Sequence, residues 1–225
     1  MTTSANLVEP RSTWIKRIMM RGGLLLVGGI MLSALSGWSH RPAPAPAAAA
    51  VLPSATALDH QLASVRSEIS VVKSQLDRAQ AVMKYSTKYQ IPADLSAAIY
   101  DIALSEGIDP PLAYQLVKVE SNFKSDARSS AGALGYTQIQ LATARYFAPR
   151  VTEHQLLGRD VNLRIGLRFL KTLMVQYHGD MHLALLAYNR GPARVNQILA
   201  SGGDPANGYA MAVLQDYHPQ QSLEQ

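Results

Sequence analysis

The sequence has no cysteine among its 225 residues. Neither a disulfide framework nor a cysteine for lipid attachment is therefore present, and the redox compartment stays open. The chain also lacks a phosphate-binding loop, a dinucleotide-binding glycine fingerprint and an EF-hand loop. Its six histidines are scattered, and a Gly-Asp break separates His178 from His182. We therefore expect no metal site, no cofactor and no nucleic-acid partner.

Alternating β patterns are equally scarce, since none extends beyond a few residues. Apolar residues recur instead at helical spacing in short segments that Gly and Pro residues separate. Asp160 and Asp180 are expected to cap two of the helices. The pattern predicts an all-α domain, with helices over residues 95–105, from 110 onward, and over 142–147, 161–177, 181–188, 193–200 and 208–217.

Charge is absent from one long segment near the N-terminus. Arg and Lys cluster within residues 11–21, and the next 17 residues, 22–38, carry no charge. As a helix this segment would span about 26 Å, the short limit for crossing a bilayer. We therefore expect a cytoplasmic N-terminus (1–21), a single membrane anchor (22–38) and an exported remainder. Signal-peptide cleavage around residues 47–50 is the alternative, and it also exports the remainder.

Two further segments precede the main domain. Residues 39–57 contain the run RPAPAPAAAA, which predicts an extended Pro/Ala linker. Residues 58–90 carry a heptad pattern, which favours either association with a second copy or an envelope partner through residues 58–83, or docking on the domain. Residues 91–217 suffice for one domain with a sizeable core, and a polar tail (218–225) follows. The heptad positions are Leu58, Leu62, Val65, Ile69, Val72, Leu76, Ala79 and Met83.

Residues 109–141 contain the strongest indication of chemistry. Asp109 and Pro110 favour a helix start, and Glu120 falls within the apolar stripe of that helix. Burial raises the pKa of a carboxyl group, as a general acid near neutral pH requires. The alternative is a structural ion pair between Glu120 and an arginine, Arg128, Arg164 or Arg168. The expected stripe is Leu112, Ala113, Leu116, Val117, Val119 and Phe123, and the expected opposite face is Tyr114, Gln115, Lys118, Ser121 and Asn122.

The segment after Glu120 is too small and glycine-rich to be a packed helix. Residues 129–135 read SSAGALG, and Gln138 follows them. Glycines allow tight turns and close approach of the backbone to a ligand. A carboxylate, a glycine-rich turn and a glutamine in this order indicate a groove for an extended polar substrate.

These residues resemble the soluble-lytic-transglycosylase type of lysozyme-like domain. That family's pattern reads E-S-x-x-F, then G-A-x-G-L-M-Q, then A-Y-N-x-G. The spacing from Glu120 to Gln138 matches without a gap, and the resemblance covers roughly residues 95–214. The matching residues are Glu120, Ser121, Phe123, Ser129, Gly132, Ala133, Gly135, Gln138, Ala187, Tyr188, Asn189, Gly191 and Pro192.

The resemblance implies a peptidoglycan lytic transglycosylase, and the expected anchor at residues 22–38 would hold it at the periplasmic side of a bacterial inner membrane. Such enzymes cleave the β-1,4 bond between N-acetylmuramic acid and N-acetylglucosamine, and the products end in 1,6-anhydro-muramoyl residues. Glu120 would be the single catalytic acid and base, and in the family the tyrosine at position 188 approaches this acid. The implied substrate-binding residues are Ser121, Ser129, Gly132, Ala133, Gly135, Gln138, Tyr188 and Asn189.

The sequence departs from the family pattern at three positions. Tyr136 and Thr137 replace the family's Leu-Met, and Gln140 replaces a Met. The resemblance implies that these positions line the sugar groove, so we expect altered contacts with the sugar. Two other functions remain open from the sequence. One is a hydrolytic lysozyme, which needs a second carboxylate, and the other is a non-catalytic scaffold that binds the cell wall.

Overall fold

Helices dominate the computed structural model of this chain, which describes residues 55–219. The prediction of a helical domain is confirmed. In chain order the elements are α1 (Ala55–Tyr89), α2 (Ala93–Ser105), α3 (Pro110–Ser121), β1 (Ala133–Leu134), β2 (Ile139–Gln140), α4 (Leu141–Phe147), α5 (Glu153–Leu156), α6 (Arg159–Gln176), α7 (Met181–Arg190), α8 (Pro192–Ala200) and α9 (Tyr209–Leu214).

The segments expected at the N-terminus lie mostly outside the described residues. These are the basic segment (1–21), the membrane anchor (22–38) and nearly all of the linker (39–57), together with most of the tail (218–225). Within residues 55–219, no helix has both the length and the apolar character to cross a bilayer. The last linker residues are helical, because α1 begins at Ala55.

Within residues 55–219, the buried residues of helix α1 lie near its C-terminal end. Val82 and Tyr85 are its buried residues, and the Tyr85 ring stacks on Tyr114 with centroids 4.2 Å apart. All positions from Leu58 to Gln80 are exposed. The heptad side chains therefore do not dock on the domain, and that alternative is wrong for residues 58–80.

Helix α3 is the central helix of the domain. It packs between α2 and α9, so its first eight residues are buried on every side. The expected division into an apolar and a polar face is wrong, because Tyr114, Gln115 and Ser121 are buried, whereas Val119 is 36% exposed. Each fully buried leucine of such a helix stabilises the fold by about 2 kcal/mol. Tyr114 satisfies its buried hydroxyl by donating to the Ser96 carbonyl oxygen at 2.7 Å.

A short antiparallel hairpin interrupts the helices, which the all-α prediction missed. Ala133 pairs with Gln140 and Leu134 with Ile139. Two-residue strands are too short to show a period of two in the sequence. The turn between them uses left-handed backbone at Gly135 (φ 71°) and Gln138 (φ 47°). The backbone pairing of this hairpin gives the end of the glycine-rich segment, at Ala133 and Leu134, a regular structure.

Two of the predicted helix starts, at Asp109 and Asp180, are confirmed in position, and the third, at Asp160, is wrong. Asp180 accepts a hydrogen bond from the Leu183 backbone N–H at 2.9 Å and caps α7 as predicted. Gly158, not Asp160, occupies the cap position of α6, and Asp160 lies in its first turn. Asp109 occupies the cap position of α3, which begins at Pro110 as predicted. Its side chain makes no cap hydrogen bond, and its Oδ2 accepts instead from the Tyr217 hydroxyl at 3.0 Å.

Candidate active site

A polar cleft of about 400 Å³ opens where the hairpin meets α3 and the junction between α7 and α8. Its walls come from segments that are distant in sequence, so only the tertiary fold creates it. The lining residues are Glu120, Ser129, Ala131, Ala133, Gln138, Ile139, Gln140, Thr143, Phe169, Tyr188, Asn189, Arg190, Gly191 and Pro192.

Glu120 reaches this cleft from the last turn of α3. The helix ends directly after it, because Asn122 (φ 49°) and Phe123 (φ 62°) both adopt left-handed backbone. The Asn122 N–H donates to the Lys118 carbonyl and closes the helix. This reversal sends the chain toward the glycine-rich hairpin and brings the carboxyl group and the hairpin together at one cleft.

The Glu120 carboxyl group is partly buried at the wall of the cleft. Burial raises its pKa from 4.5 to about 7, and a hydrogen bond from the Tyr209 hydroxyl to Glu120 Oε1 opposes part of that rise. Desolvation disfavours the charged form of a carboxyl group, whereas a donated hydrogen bond favours it. At neutral pH the group therefore exists in both protonation states, which suits proton transfer in either direction.

The arginines that could have neutralised Glu120 are engaged elsewhere. Arg128 pairs with Glu153, and Arg164 and Arg168 both pair with Glu106. The proposed structural ion pair of Glu120 with one of these arginines is therefore wrong. Glu106 shows the contrasting behaviour, because its two arginine partners lower its pKa.

Two tyrosines flank Glu120, and the structure assigns them different contacts. Tyr209, at the start of α9, donates a hydrogen bond from its hydroxyl to Glu120 Oε1. Tyr188 donates instead to the Thr137 carbonyl oxygen at 2.8 Å. Burial and the nearby Glu120 charge raise the pKa of both phenols well above 10, so both hydroxyls stay protonated as donors. The hydrogen-bonding tyrosine is thus Tyr209, a residue that the sequence motifs did not indicate.

A buried polar cluster behind the cleft fixes the hairpin on α6. Asn162 Oδ1 accepts from the Thr137 N–H at 2.8 Å, and Asn162 Nδ2 donates to the Leu134 and Leu156 carbonyl oxygens at 2.9 and 3.0 Å. Asn162 and Thr137 are both fully buried. Because buried amides are costly when unpaired, these bonds define one position for the hairpin.

Glycine is required at two contacts of this cluster. A Cβ on Gly135 would lie 2.4 Å from Asn162 Nδ2, and a Cβ on Gly166 would lie 2.3 Å from Thr137 Oγ1. The motif glycine at 135 therefore permits close packing of the hairpin against α6. This is a different role from the substrate approach that the motif implied.

The structure brings most of the expected substrate-binding residues to the cleft. Five of them line it, and the other three lie elsewhere. Ser121 is buried and donates to the Tyr136 carbonyl oxygen at 2.8 Å, so it supports the hairpin from behind. Gly132 and Gly135 form turns of the hairpin segment. The five lining residues are Ser129, Ala133, Gln138, Tyr188 and Asn189, and their contact with substrate stays a prediction.

The three positions that depart from the motif have separate surroundings. Gln140 lines the cleft and donates to the Ala131 carbonyl oxygen at 3.2 Å. Tyr136 and Thr137 are buried behind the cleft, with exposed fractions of 9% and 0%. The expectation that all three line the groove is therefore wrong for Tyr136 and Thr137. Burial against Asn162 and Gly166 accounts for the small β-branched residue at position 137.

Sequence reasoning also missed several residues that shape the cleft. Phe169, Thr143 and Arg190 line it, and Asn162 supports it from behind. Tyr209 had a weak signal, because it opens the predicted last helix, but nothing marked its partner. Among the described lining residues, Glu120 is the one carboxylate. No group of three His, Cys, Asp or Glu side chains in residues 55–219 could hold a metal ion.

Fold and site together define a helical domain in which one carboxyl group with a raised pKa lines a polar cleft. The chain belongs to the Transglycosylase SLT domain family, whose model matches residues 82–208, more than half of the chain. The matched region begins at the buried end of α1 and ends just before Tyr209. The matched region thus includes all the residues that line the cleft, but it does not include Tyr209, which contacts Glu120.

Individual relatives match over parts of their length. The peptidoglycan transglycosylase gp16 of Escherichia phage T7 is 30% identical over 108 residues, which are 47% of this chain and 8% of that protein. An inactive mutant of the lytic transglycosylase Slt from Pseudomonas aeruginosa is 33% identical, with a TM-score of 0.44, over 52% of this chain and 20% of that one.

The 70 kDa soluble lytic transglycosylase SLT70 from Escherichia coli is 20% identical, with a TM-score of 0.47. The match covers 61% of this chain and 29% of that enzyme. This chain therefore spans less than a third of each of these three relatives.

Proposed function

We propose that this protein is a lytic transglycosylase that cleaves the glycan strands of peptidoglycan. The observation that carries the proposal is Glu120, a carboxyl group with a pKa of about 7 in a polar cleft. Membership of the Transglycosylase SLT domain family and the identity to the phage peptidoglycan transglycosylase support this substrate.

In the proposed reaction Glu120 works first as an acid and then as a base. The protonated carboxyl group donates its proton to the glycosidic oxygen as the bond from C1 of N-acetylmuramic acid to that oxygen breaks. The 6-hydroxyl oxygen of the same muramoyl residue then attacks C1, and its proton returns to the Glu120 carboxylate. The reaction consumes no water, leaves a 1,6-anhydro ring and regenerates the acid.

One carboxylate suffices for this route because the nucleophile belongs to the substrate. A hydroxyl held beside C1 has a high effective concentration and competes successfully with water. A hydrolase of the two-carboxylate kind would need a second group about 5 Å away, or roughly 6.5–9.5 Å away with an intervening water. The described lining of the cleft offers Glu120 alone. This composition favours the transglycosylase over the hydrolytic lysozyme.

Product analysis tests the proposal directly. The purified protein is incubated with peptidoglycan, and the released fragments are weighed by mass spectrometry. We expect muramoyl ends in the 1,6-anhydro form, which weigh one water less than hydrolysis products. Predominantly reducing muramic-acid ends would establish a hydrolase instead. A folded protein that binds the wall and releases no fragment would be the scaffold.

Glu120→Gln supplies the matched control for this assay. The amide keeps the size and polarity of the side chain but has no proton to donate and reclaim, so turnover should fall by about 100-fold or more. Circular dichroism should show unchanged helix content. Near-native turnover of the folded variant would show that Glu120 is not the acid.

The proposal includes attachment to the bacterial inner membrane through residues 22–38, with the domain in the periplasm. The support is the sequence itself, namely a basic cluster before an uncharged segment of sufficient length. The mass of the mature protein tests it, because an anchored chain retains its N-terminal residues. A mature chain that begins near residue 50 would instead indicate a cleaved signal peptide and a soluble periplasmic enzyme.

A further inference from the structure

The N-terminal two thirds of α1 form an exposed helix with an apolar stripe. Every side chain from Leu58 to Gln80 is exposed, and the large side chains of the stripe expose 48% to 63% of their surface. At 1.5 Å per residue, the 26 residues from Ala55 to Gln80 extend for about 39 Å. The stripe, hereafter the α1 seam, comprises Leu58, Leu62, Val65, Ile69, Val72, Leu76, Ala79 and Met83.

Such a helix is marginal without a partner. Isolated helices draw little stability from propensity alone, and most of their stability in proteins comes from packing of an apolar face. Six leucine, isoleucine and valine side chains on one stripe also exceed the scattered exposure that soluble surfaces tolerate. The 4-3 spacing of the α1 seam is the spacing at which helices interlock as knobs into holes. These features call for another helix of matching length and pattern.

The α1 seam remains accessible even where α1 meets the domain. Arg78, Val82, Tyr85 and Tyr89 contact the domain on one face of α1, and Arg78 pairs with Asp101 of α2. At 100° per residue this contact face lies roughly 120° around the helix from the seam. Met83 on the seam accordingly stays 58% exposed beside the buried Val82. A partner helix can therefore occupy the whole seam without displacing α2.

The geometry points to a second copy of this chain as the partner, with the two α1 helices in a parallel, in-register coiled coil. With Leu62 and Ile69 at position a and Val65 at position d, Glu68 takes position g and Lys73 position e. In a parallel pair, position g of one helix faces position e of the next heptad of the other. Glu68 of each copy then faces Lys73 of the other copy, so the dimer contains two such pairs.

The antiparallel arrangement that covers the same seam lacks this complementarity. It places e positions opposite e positions, so Arg66 of one helix faces Lys73 of the other, again twice. Like charges at these flanking positions disfavour an arrangement, whereas opposite charges favour it. The charges at these flanking positions thus favour the parallel orientation. The inference does not depend on the enzymatic activity proposed above.

Single cysteines test the orientation and register, because the chain has none of its own. Leu62→Cys puts the thiol on the α1 seam, and Ser67→Cys puts it on the outer face at position f. The full-length variants, in detergent micelles, are oxidised and run on a non-reducing gel. We expect Leu62→Cys to form a dimer at twice 24.4 kDa and Ser67→Cys to remain monomeric. Equal cross-linking of both variants, or none at Leu62→Cys, would overturn the inference.

Sedimentation equilibrium of the full-length chain supplies a second, independent measurement. Ile69→Lys buries a charge in the seam and should weaken association by about 100-fold or more. Val71→Lys makes the same change of charge two residues away, off the seam, and should leave association unchanged. Both positions are exposed, so neither variant should alter the melting of the domain. A wild-type mass of one chain, or equal effects of the two variants, would refute the second copy as partner.

Charge reversal tests the pairing of Glu68 with Lys73. Glu68→Lys or Lys73→Glu alone should weaken association, because each places like charges across the interface. The double variant restores opposite charges and should recover the wild-type dissociation constant within about threefold. Two single effects that simply add in the double variant would contradict the parallel register. None of these measurements of association requires the protein to turn over peptidoglycan.

Discussion

At the scale of single residues, the contact between Glu120 and Tyr209 affects the pKa of the carboxyl group in the cleft. Burial favours the neutral carboxyl group, and the hydrogen bond from the Tyr209 hydroxyl favours the charged one. The two effects leave the pKa near 7, between that of an exposed glutamate and that of a fully desolvated one. We infer that Tyr209 is a positioning residue that sets the working pH of the acid.

Tyr209→Phe should therefore shift the pH dependence of activity. Without the phenolic donor the carboxylate loses its hydrogen bond, so the pKa of Glu120 should rise above 7. A general acid works in its protonated form, and the alkaline loss of kcat/KM should accordingly move to higher pH by about one pH unit. The measurement is a kcat/KM profile from pH 5 to 9 on soluble glycan fragments.

Tyr188→Phe is the matched control, since it removes a cleft hydroxyl that donates to Thr137 and not to Glu120. The alkaline loss of kcat/KM in Tyr188→Phe should occur at the same pH as in the wild type, even if the overall rate of the variant is lower. Identical profiles for wild type and Tyr209→Phe would exclude a role for Tyr209 in setting the acidity of Glu120.

At the scale of secondary-structure elements, the contact between the hairpin and α6 holds one wall of the cleft. Thr137 and Gly166 meet at a distance that leaves no room for a side chain at position 166. The Asn162 hydrogen bonds then fix the hairpin on the helix. Ser129, Ala133, Gln138 and Gln140 follow the hairpin, so their position depends on this buried contact.

Gly166→Ala should destabilise the protein although alanine favours helices. The new methyl group would overlap Thr137, and overpacking of a close contact costs about 1–3 kcal/mol, more than the roughly 1 kcal/mol that alanine gains over glycine in a helix. We expect a lower melting temperature by calorimetry and a lower kcat/KM. Adding Thr137→Gly removes the overlapping side chain and should recover part of the loss, as a double-mutant cycle would show. A Gly166→Ala variant that melts above wild type would contradict the packing described here.

At the scale of the whole molecule, the carboxyl group of Glu120 affects the pH dependence of stability. Glu120 has a higher pKa in the folded state than its ordinary 4.5, so the folded protein binds this proton more tightly than the unfolded chain. The contribution of Glu120 to stability therefore falls as pH rises from about 4.5 through about 7. The total effect of this one group is about 3 kcal/mol. Glu106 makes a contribution to stability of the opposite sign, because its arginine partners lower its pKa. That contribution is present above pH 4.5 and is lost as the pH falls below it.

Glu120→Gln should accordingly stabilise the folded protein at alkaline pH. The amide has no charge to desolvate, so the variant should melt above wild type at pH 8, by about 5 °C or more. At pH 4, where wild-type Glu120 is protonated in both states, the two melting temperatures should agree closely. Because all other groups are shared, their titrations cancel in the comparison. A constant difference between pH 4 and pH 8 would show that folding does not raise the pKa of Glu120.

The sequence alone determined the features that depend on neighbouring residues. Helical spacing and the Pro110 start predicted α3, and Asp180 predicted the cap of α7. The E-S-x-x-F and glycine-rich motifs selected Glu120 because their residues are close in sequence. Local backbone preference and side-chain periodicity extend over one or two helical turns, and a sequence displays both directly.

The tertiary structure alone decided which distant side chains meet. Tyr209 lies 89 residues after Glu120, and Asn162 lies 25 residues after Thr137. Tyr114 and Gln115 looked polar and outward-facing, yet α3 is enclosed on all sides. Such contacts arise when separate helices pack, and packing depends on the shape and burial of all elements together. The acidity of Glu120 belongs to this second group, since the burial and the hydrogen bond that set it both come from the folded chain.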